Sequence, residues 1–159
     1  MATKNTNLSS FNKEDVPNAK GLSFGIVVSE WHSNITEGLY NGAYKALIES
    51  GVNPTDISRI DVPGSYELVF GVKIAAKQNP DAIICLGSII QGETKHFDFV
   101  CNAVTLGIKD LNISLDIPVV FGVLTDNNME QAINRSGGKH GNKGIEAAIT
   151  AIKMAVLNK

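Results

Sequence analysis

Three short stretches of this chain hold most of the side chains that could do chemistry. Trp31 and His32 stand together, as do Tyr66 and Glu67, while Gln91, Glu93, Thr94, Lys95 and His96 crowd one segment. Phe121, Arg135 and Lys143 follow, the last in a glycine-rich run. Aromatic rings beside a flat ligand can stack on it, and a carboxylate can hold its hydroxyls. Gly92, Thr94 and Arg135 suit a phosphate, through loop N–H groups, a hydroxyl at a helix start and a guanidinium fork. His96 suits proton transfer, because imidazole titrates near working pH.

Each residue also has a plain structural reading. Trp31 can be packing, Tyr66 can cover a sheet, and Glu67 in a first turn can complement a helix dipole. His96 can cap or face solvent, Arg135 and Lys143 can be solvated charges, and Cys85 and Cys101 read as inert core thiols. Several chemistries lack support. The run GGKHGNKG (137–144) does not fit G-x-x-x-x-G-K-[ST], and there is no G-x-G-x-x-G. His32, His96, His140, Cys85 and Cys101 show no zinc-ligand spacing, so no metal is expected. Ser88 and His96 have no nucleophile-elbow context.

The elements that must position these residues alternate in type. Leu22–Val28 reads as a buried strand, followed by a helix over about 34–50 with Ser33 as its cap and Ile35, Leu39, Ala43 and Leu47 on one face. Asp56–Val62 is the second strand, and Ser65 caps a helix over about 66–78. Asp81–Gly87 is the third strand, and a loop over 88–95 leads to a helix over about 96–111. Ile117–Leu124 is the fourth strand. Asn127 and Glu130 form a capping box for a short helix ending near Arg135. The glycine-rich run is a loop, and a helix over about 144–157 closes the chain, with Ile145, Ile149, Ile152 and Val156 on one side.

Near-continuous apolar strands alternating with helices predict a parallel sheet covered on both faces. The expected fold is α/β, a three-layer αβα sandwich with a four-stranded parallel sheet of flavodoxin-like topology. Residues 1–20 form an N-terminal arm and 21–159 a single domain. Ligands of such sheets bind beyond the carboxyl ends of the strands, where the residues above fall.

Composition narrows the partners. The chain has 159 residues, a net charge of −2 and 43% hydrophobic residues. That suffices for one core and gives no electrostatic footprint for nucleic acid or a membrane surface. The apolar stretches are too short to cross a bilayer, and the polar amino terminus lacks a signal-peptide pattern. Two cysteines without a disulfide framework point to a reducing cytoplasm.

Taken in order, GIVVSEWHSNIT (25–36), VPGSYELV (62–69), ICLGSIIQGETKHFDFVCN (84–102), PVVFGVLT (118–125) and INRSGGKHGNKG (133–144) resemble the 6,7-dimethyl-8-ribityllumazine synthase family. The resemblance runs from about Gly21 to the carboxyl terminus. GETKHFDFVCN is its most specific block. The resemblance implies condensation of 5-amino-6-(D-ribitylamino)uracil with 3,4-dihydroxy-2-butanone 4-phosphate, releasing phosphate and water without a cofactor. The alternatives are a non-catalytic flavin- or lumazine-binding shell protein, or a related riboflavin synthase of the same fold.

By resemblance, Trp31 stacks on the pyrimidine, at a position where phenylalanine is also common. Ser65, Tyr66 and Glu67 match the segment that binds the ribityl chain and ring, and Ser88, Ile89 and Ile90 match the strand end lining the pyrimidine site. Glu93 and Thr94 match the phosphate loop, Glu93 through its backbone N–H. His96 matches the proton-transfer histidine, Phe121 an aromatic wall, Arg135 the phosphate-binding arginine and Lys143 a nearby lysine that can face the substrate. The resemblance further implies a homo-oligomer, at least a pentamer and here a 60-subunit icosahedral shell. Its active sites lie between subunits, with the Phe121 and Arg135 set from one chain and the Trp31, Tyr66 and His96 set from the other. The arm is expected to run onto an adjacent subunit. A riboflavin synthase trimer is a further candidate partner.

Overall fold

A computed structural model describes Asn7 and residues 9–159 of the chain. Its centre is a four-stranded parallel sheet of β1 (Phe24–Ser29), β2 (Ile57–Val62), β3 (Ala82–Ile90) and β4 (Val119–Asp126), in the spatial order β2-β1-β3-β4. Parallel neighbours need crossovers, and helices supply them: α1 (Ser33–Glu49), α2 (Leu68–Ala75) and α3 (His96–Ser114) join successive strands. After β4 come α4 (Met129–Arg135), a small antiparallel hairpin of β5 (Ser136–Gly138) and β6 (Gly141–Asn142), and α5 (Lys143–Leu157).

The sheet is buried on both sides, which explains why β1 and β3 lack alternation. Phe24, Ile26, Val28, Ile84 and Leu86 face a core built with Leu39, Leu47 and Ile152 of α1 and α5. Val27, Val62, Ile83, Cys85 and Val119 face the opposite core, with Val72, Val104 and Ile108 of α2 and α3. The result is the three-layer αβα sandwich expected from the sequence. Each fully buried aliphatic chain contributes roughly 1.5–3 kcal/mol.

Several boundaries differ from expectation for local reasons. Ser33 does not cap α1; it is the first helical residue, preceded by His32 in the left-handed region. Ser65 does not cap α2 either, because residues 64–67 form a turn and the helix starts at Leu68. β3 continues through Ser88, Ile89 and Ile90, which pair with Leu124, Thr125 and Asp126, so the loop begins only at Gln91. The cap of α4 is Asn128, whose side chain accepts from the Gln131 N–H, while Gln131 Oε1 accepts from the Asn127 N–H. Val156 stays exposed rather than joining the apolar face of α5.

The glycine-rich run is a hairpin, not an open loop, and Asn142 anchors it. The Asn142 Nδ2 donates to the Gly38 carbonyl at 2.8 Å and the Ser136 carbonyl at 3.1 Å. Its Oδ1 accepts from the Gly144 N–H at 2.8 Å. Gly144 has no room for a side chain: a Cβ there would meet the Leu39 carbonyl oxygen at 1.9 Å. Of the arm, residues 1–6 and 8 lie outside the described residues. Ser9 Oγ accepts from the Asn142 N–H, a 3-10 turn spans Lys13–Asp15, and Phe11 and Val16 pack on the core beside α1.

Candidate active site

Strand order reverses direction between β1 and β3, and in doubly wound sheets a crevice opens at that point beyond the strand ends. Here a cleft of about 540 Å³ occupies it. Trp31 and His32 enter from the turn after β1, Ser65, Tyr66 and Glu67 from the turn after β2, and Ser88, Ile89 and Ile90 from the end of β3. Gly92, Thr94, His96, Phe97 and Val100 close it from the α3 side. Nine side chains singled out from the sequence are thus brought together: Trp31, Ser65, Tyr66, Glu67, Ser88, Ile89, Ile90, Thr94 and His96.

The floor is polar and the walls are apolar. Ser65 and Ser88 are buried, and neither hydroxyl has a partner among the described residues. Unpaired buried hydroxyls are costly, and a hydroxyl-bearing or heterocyclic ligand would relieve them. Ser65 packs onto Gly87 of β3, where a Cβ would lie 2.7 Å from Ser65 Oγ and 3.0 Å from Leu68 Cδ1. The glycine therefore lets the turn settle on the strand. Trp31 and Tyr66 are 67% and 61% exposed, unusual for rings of that size in a single chain.

On the α3 side, the Thr94 hydroxyl accepts from the His96 N–H at 3.3 Å, so residues 94–96 curl into the helix start. The first-turn N–H groups of this helix form one end of the cleft, where an anion is favoured.

Four predicted site residues lie elsewhere. Glu93 is exposed on the loop and does not line the cleft. Phe121, half-buried on the edge strand β4, packs toward α2 and α3. Arg135 ends α4 and donates to Asp126 at 2.8 Å. Lys143 opens α5 and pairs with Glu146 of the same helix. The sequence reading noted His32 in its loop but gave it no role in the site; Gly64, Phe97 and Val100 were also missed. For His32 the available signal was its place next to Trp31 at a strand end.

Neither cysteine belongs to the cleft. Burial pushes the Cys85 thiol up to about 12, which keeps it protonated and inert. Cys101 is half-buried on α3 rather than a core thiol; burial and then Asp98 raise it as well.

The family model for 6,7-dimethyl-8-ribityllumazine synthase matches residues 21–159. The chain belongs to that family. It is 63% identical over 160 residues to the 6,7-dimethyl-8-ribityllumazine synthase of Flavobacterium johnsoniae, covering 100% of this chain and 84% of that protein. The enzyme of Christiangramia forsetii is 62% identical over 161 residues, covering 100% and 96%. That of Cytophaga hutchinsonii is 54% identical over 155 residues, covering 97% of each chain. Membership extends through the turns and strand ends that form the cleft. No helix among the described residues is long and apolar enough to cross a membrane.

Proposed function

We propose that this lumazine synthase family member condenses 5-amino-6-(D-ribitylamino)uracil with 3,4-dihydroxy-2-butanone 4-phosphate in the cleft between the β1 and β3 ends. The observation that carries the reading is the convergence there of Trp31, Tyr66, Glu67, Thr94 and His96, in a chain of this family. Trp31 stacks on the pyrimidine, and Ser65, Tyr66 and Glu67 hold the ribityl chain. The strand end at Ser88, Ile89 and Ile90 lines the ring. The loop N–H groups around Thr94 receive the phosphate beside the start of α3.

The uracil's 5-amino group attacks the ketone and loses water to give an imine. Phosphate leaves by elimination, the enol so formed tautomerises, and the ring closes with loss of water. Each step moves a proton, and His96 at the cleft edge is the acid and base by turns. Holding the two reactants in register supplies much of the rate.

A second copy of the chain completes the site. Phe121, Arg135 and Lys143 lie outside their own chain's cleft, yet suit its substrates: a ring wall, a phosphate fork and a cation. Trp31, Tyr66, Phe70, Phe99 and Leu106 expose large apolar area, as surfaces awaiting a partner do. The assembly is a pentamer or larger, a 60-subunit shell in the fullest form, with the arm reaching a neighbour and a cytoplasmic location. A riboflavin synthase trimer would be its consumer of product.

Mixing the pure protein with both substrates should generate the lumazine chromophore faster than the spontaneous reaction. A folded protein giving no acceleration would refute the activity. Light scattering of the same sample reads the assembly, and a monomeric particle with full activity would refute the shared site.

A further inference from the structure

We propose that His32 is a specificity-determining residue of the cleft, accepting a hydrogen bond through Nε2 from a ring N–H of the uracil substrate. This rests on reading the cleft as the pyrimidine subsite and adds to it a residue with a defined donor–acceptor role.

The first observation is conformational. His32 precedes α1 with φ 60° and ψ 49°. Asn79 is the other non-glycine residue with positive φ among those described, and it ends a 3-10 turn, where a left-handed residue is ordinary. A residue before a helix normally has extended backbone and caps with its side chain. His32 does neither: its imidazole makes no cap bond. Left-handed backbone disfavours a residue with a Cβ, and such outliers gather at functional sites.

The second observation says what that conformation achieves. The ring turns away from the helix to the end of β3, where Nδ1 lies 3.2 Å from the Ser88 carbonyl oxygen. A carbonyl can only accept, so Nδ1 carries the hydrogen and donates. In the neutral ring Nε2 then keeps its lone pair and is an acceptor. Nε2 has no partner among the described residues, and the ring lines the cleft next to Trp31, centroids 5.9 Å apart and tilted by 58°. The bond to Ser88 therefore sets the tautomer, and the tautomer selects a donor. A uracil offers N–H groups in the plane of its ring, which is the plane a stacking Trp31 would define. A heterocycle carrying a bare or alkylated nitrogen at that edge offers none.

The test is a set of variants read by the KM for each substrate separately. His32→Phe keeps a flat ring but neither donor nor acceptor. It should raise the KM for the aminouracil about tenfold and leave the KM for the butanone phosphate unchanged. His32→Gln ends in an amide that offers N–H donors and an oxygen acceptor, and should remain within about threefold of the parent. If the Phe variant does not fold, His32→Asn tolerates the left-handed backbone but is too short to bridge both partners; it should behave as Phe would. An unchanged aminouracil KM in a folded Phe or Asn variant overturns the proposal. So does a parallel rise in both KM values, which marks a structural role. Trp31→Ala separates the two readings. If it raises the aminouracil KM while His32→Phe does not, His32 alone is wrong. If neither variant moves it, the pyrimidine subsite is wrong and His32 falls with it.

Discussion

Arg135 Nη1 donates to Asp126 Oδ1 at 2.8 Å, joining the end of α4 to the end of β4. The Asp126 side chain is 3% exposed and that of Arg135 25%, so the carboxylate is the buried partner. Asp126 Oδ2 and Arg135 Nε are also buried, with no partner among the described residues. Removing one member of such a pair strands the other's charge.

Asp126→Ala should therefore lower unfolding stability by about 3 kcal/mol, measured by urea denaturation. Asp126→Asn keeps an acceptor for Arg135 and should cost less. Equal stability of the Ala variant and the parent would show that solvent reaches the pair freely.

Arg135→Lys should raise the KM for the butanone phosphate about tenfold with little change for the aminouracil. Lysine keeps the charge but loses the planar fork. An effect on the aminouracil alone would remove Arg135 from the phosphate site.

His96→Ala should slow turnover roughly 10²-fold without abolishing it, because the reactants are still held together. Stopped-flow absorbance of the chromophore gives the rate, and light scattering should find the assembly intact. Disassembly would assign His96 a structural part.

Asn142→Ala should cost about 3 kcal/mol by thermal or chemical unfolding, since it deletes the buried amide that holds α1, the hairpin and α5 together. A loss under about 1 kcal/mol would mean that water replaces the amide.

Cys85 should resist a thiol reagent in the native protein at pH 8. With a pKa of about 12 almost none of it is thiolate, and it becomes reactive only on unfolding. Peptide mapping after alkylation reads this directly, and rapid native labelling at Cys85 would contradict its burial.

The layers were legible because buried parallel strands must be apolar on both faces, and Ile26–Val28 and Ala82–Leu86 are. Lengths were not: the strand read as stopping at Gly87 and Ser88 as opening a loop, yet β4 pairs with β3 through Ile90. Caps failed where tertiary contact decides. His32 holds the cap position of α1 and its ring bonds the Ser88 carbonyl instead of the helix start, while Ser33 is already helical. Residues of the cleft were legible because strand ends of one sheet edge must converge. Phe121, Arg135 and Lys143 matched the family motif, but their distance from the cleft depends on a strand edge and two helices that no local pattern reveals.

Gly87 and Ser65 share one small volume, since a Cβ at position 87 would lie 2.7 Å from Ser65 Oγ. Any methyl added at position 87 must displace the Ser65 side chain from the mouth of β3. In a mutational library the two positions would therefore behave as a single locus: tolerated changes would arrive in pairs, and the permissible alphabet at one would be dictated by the other.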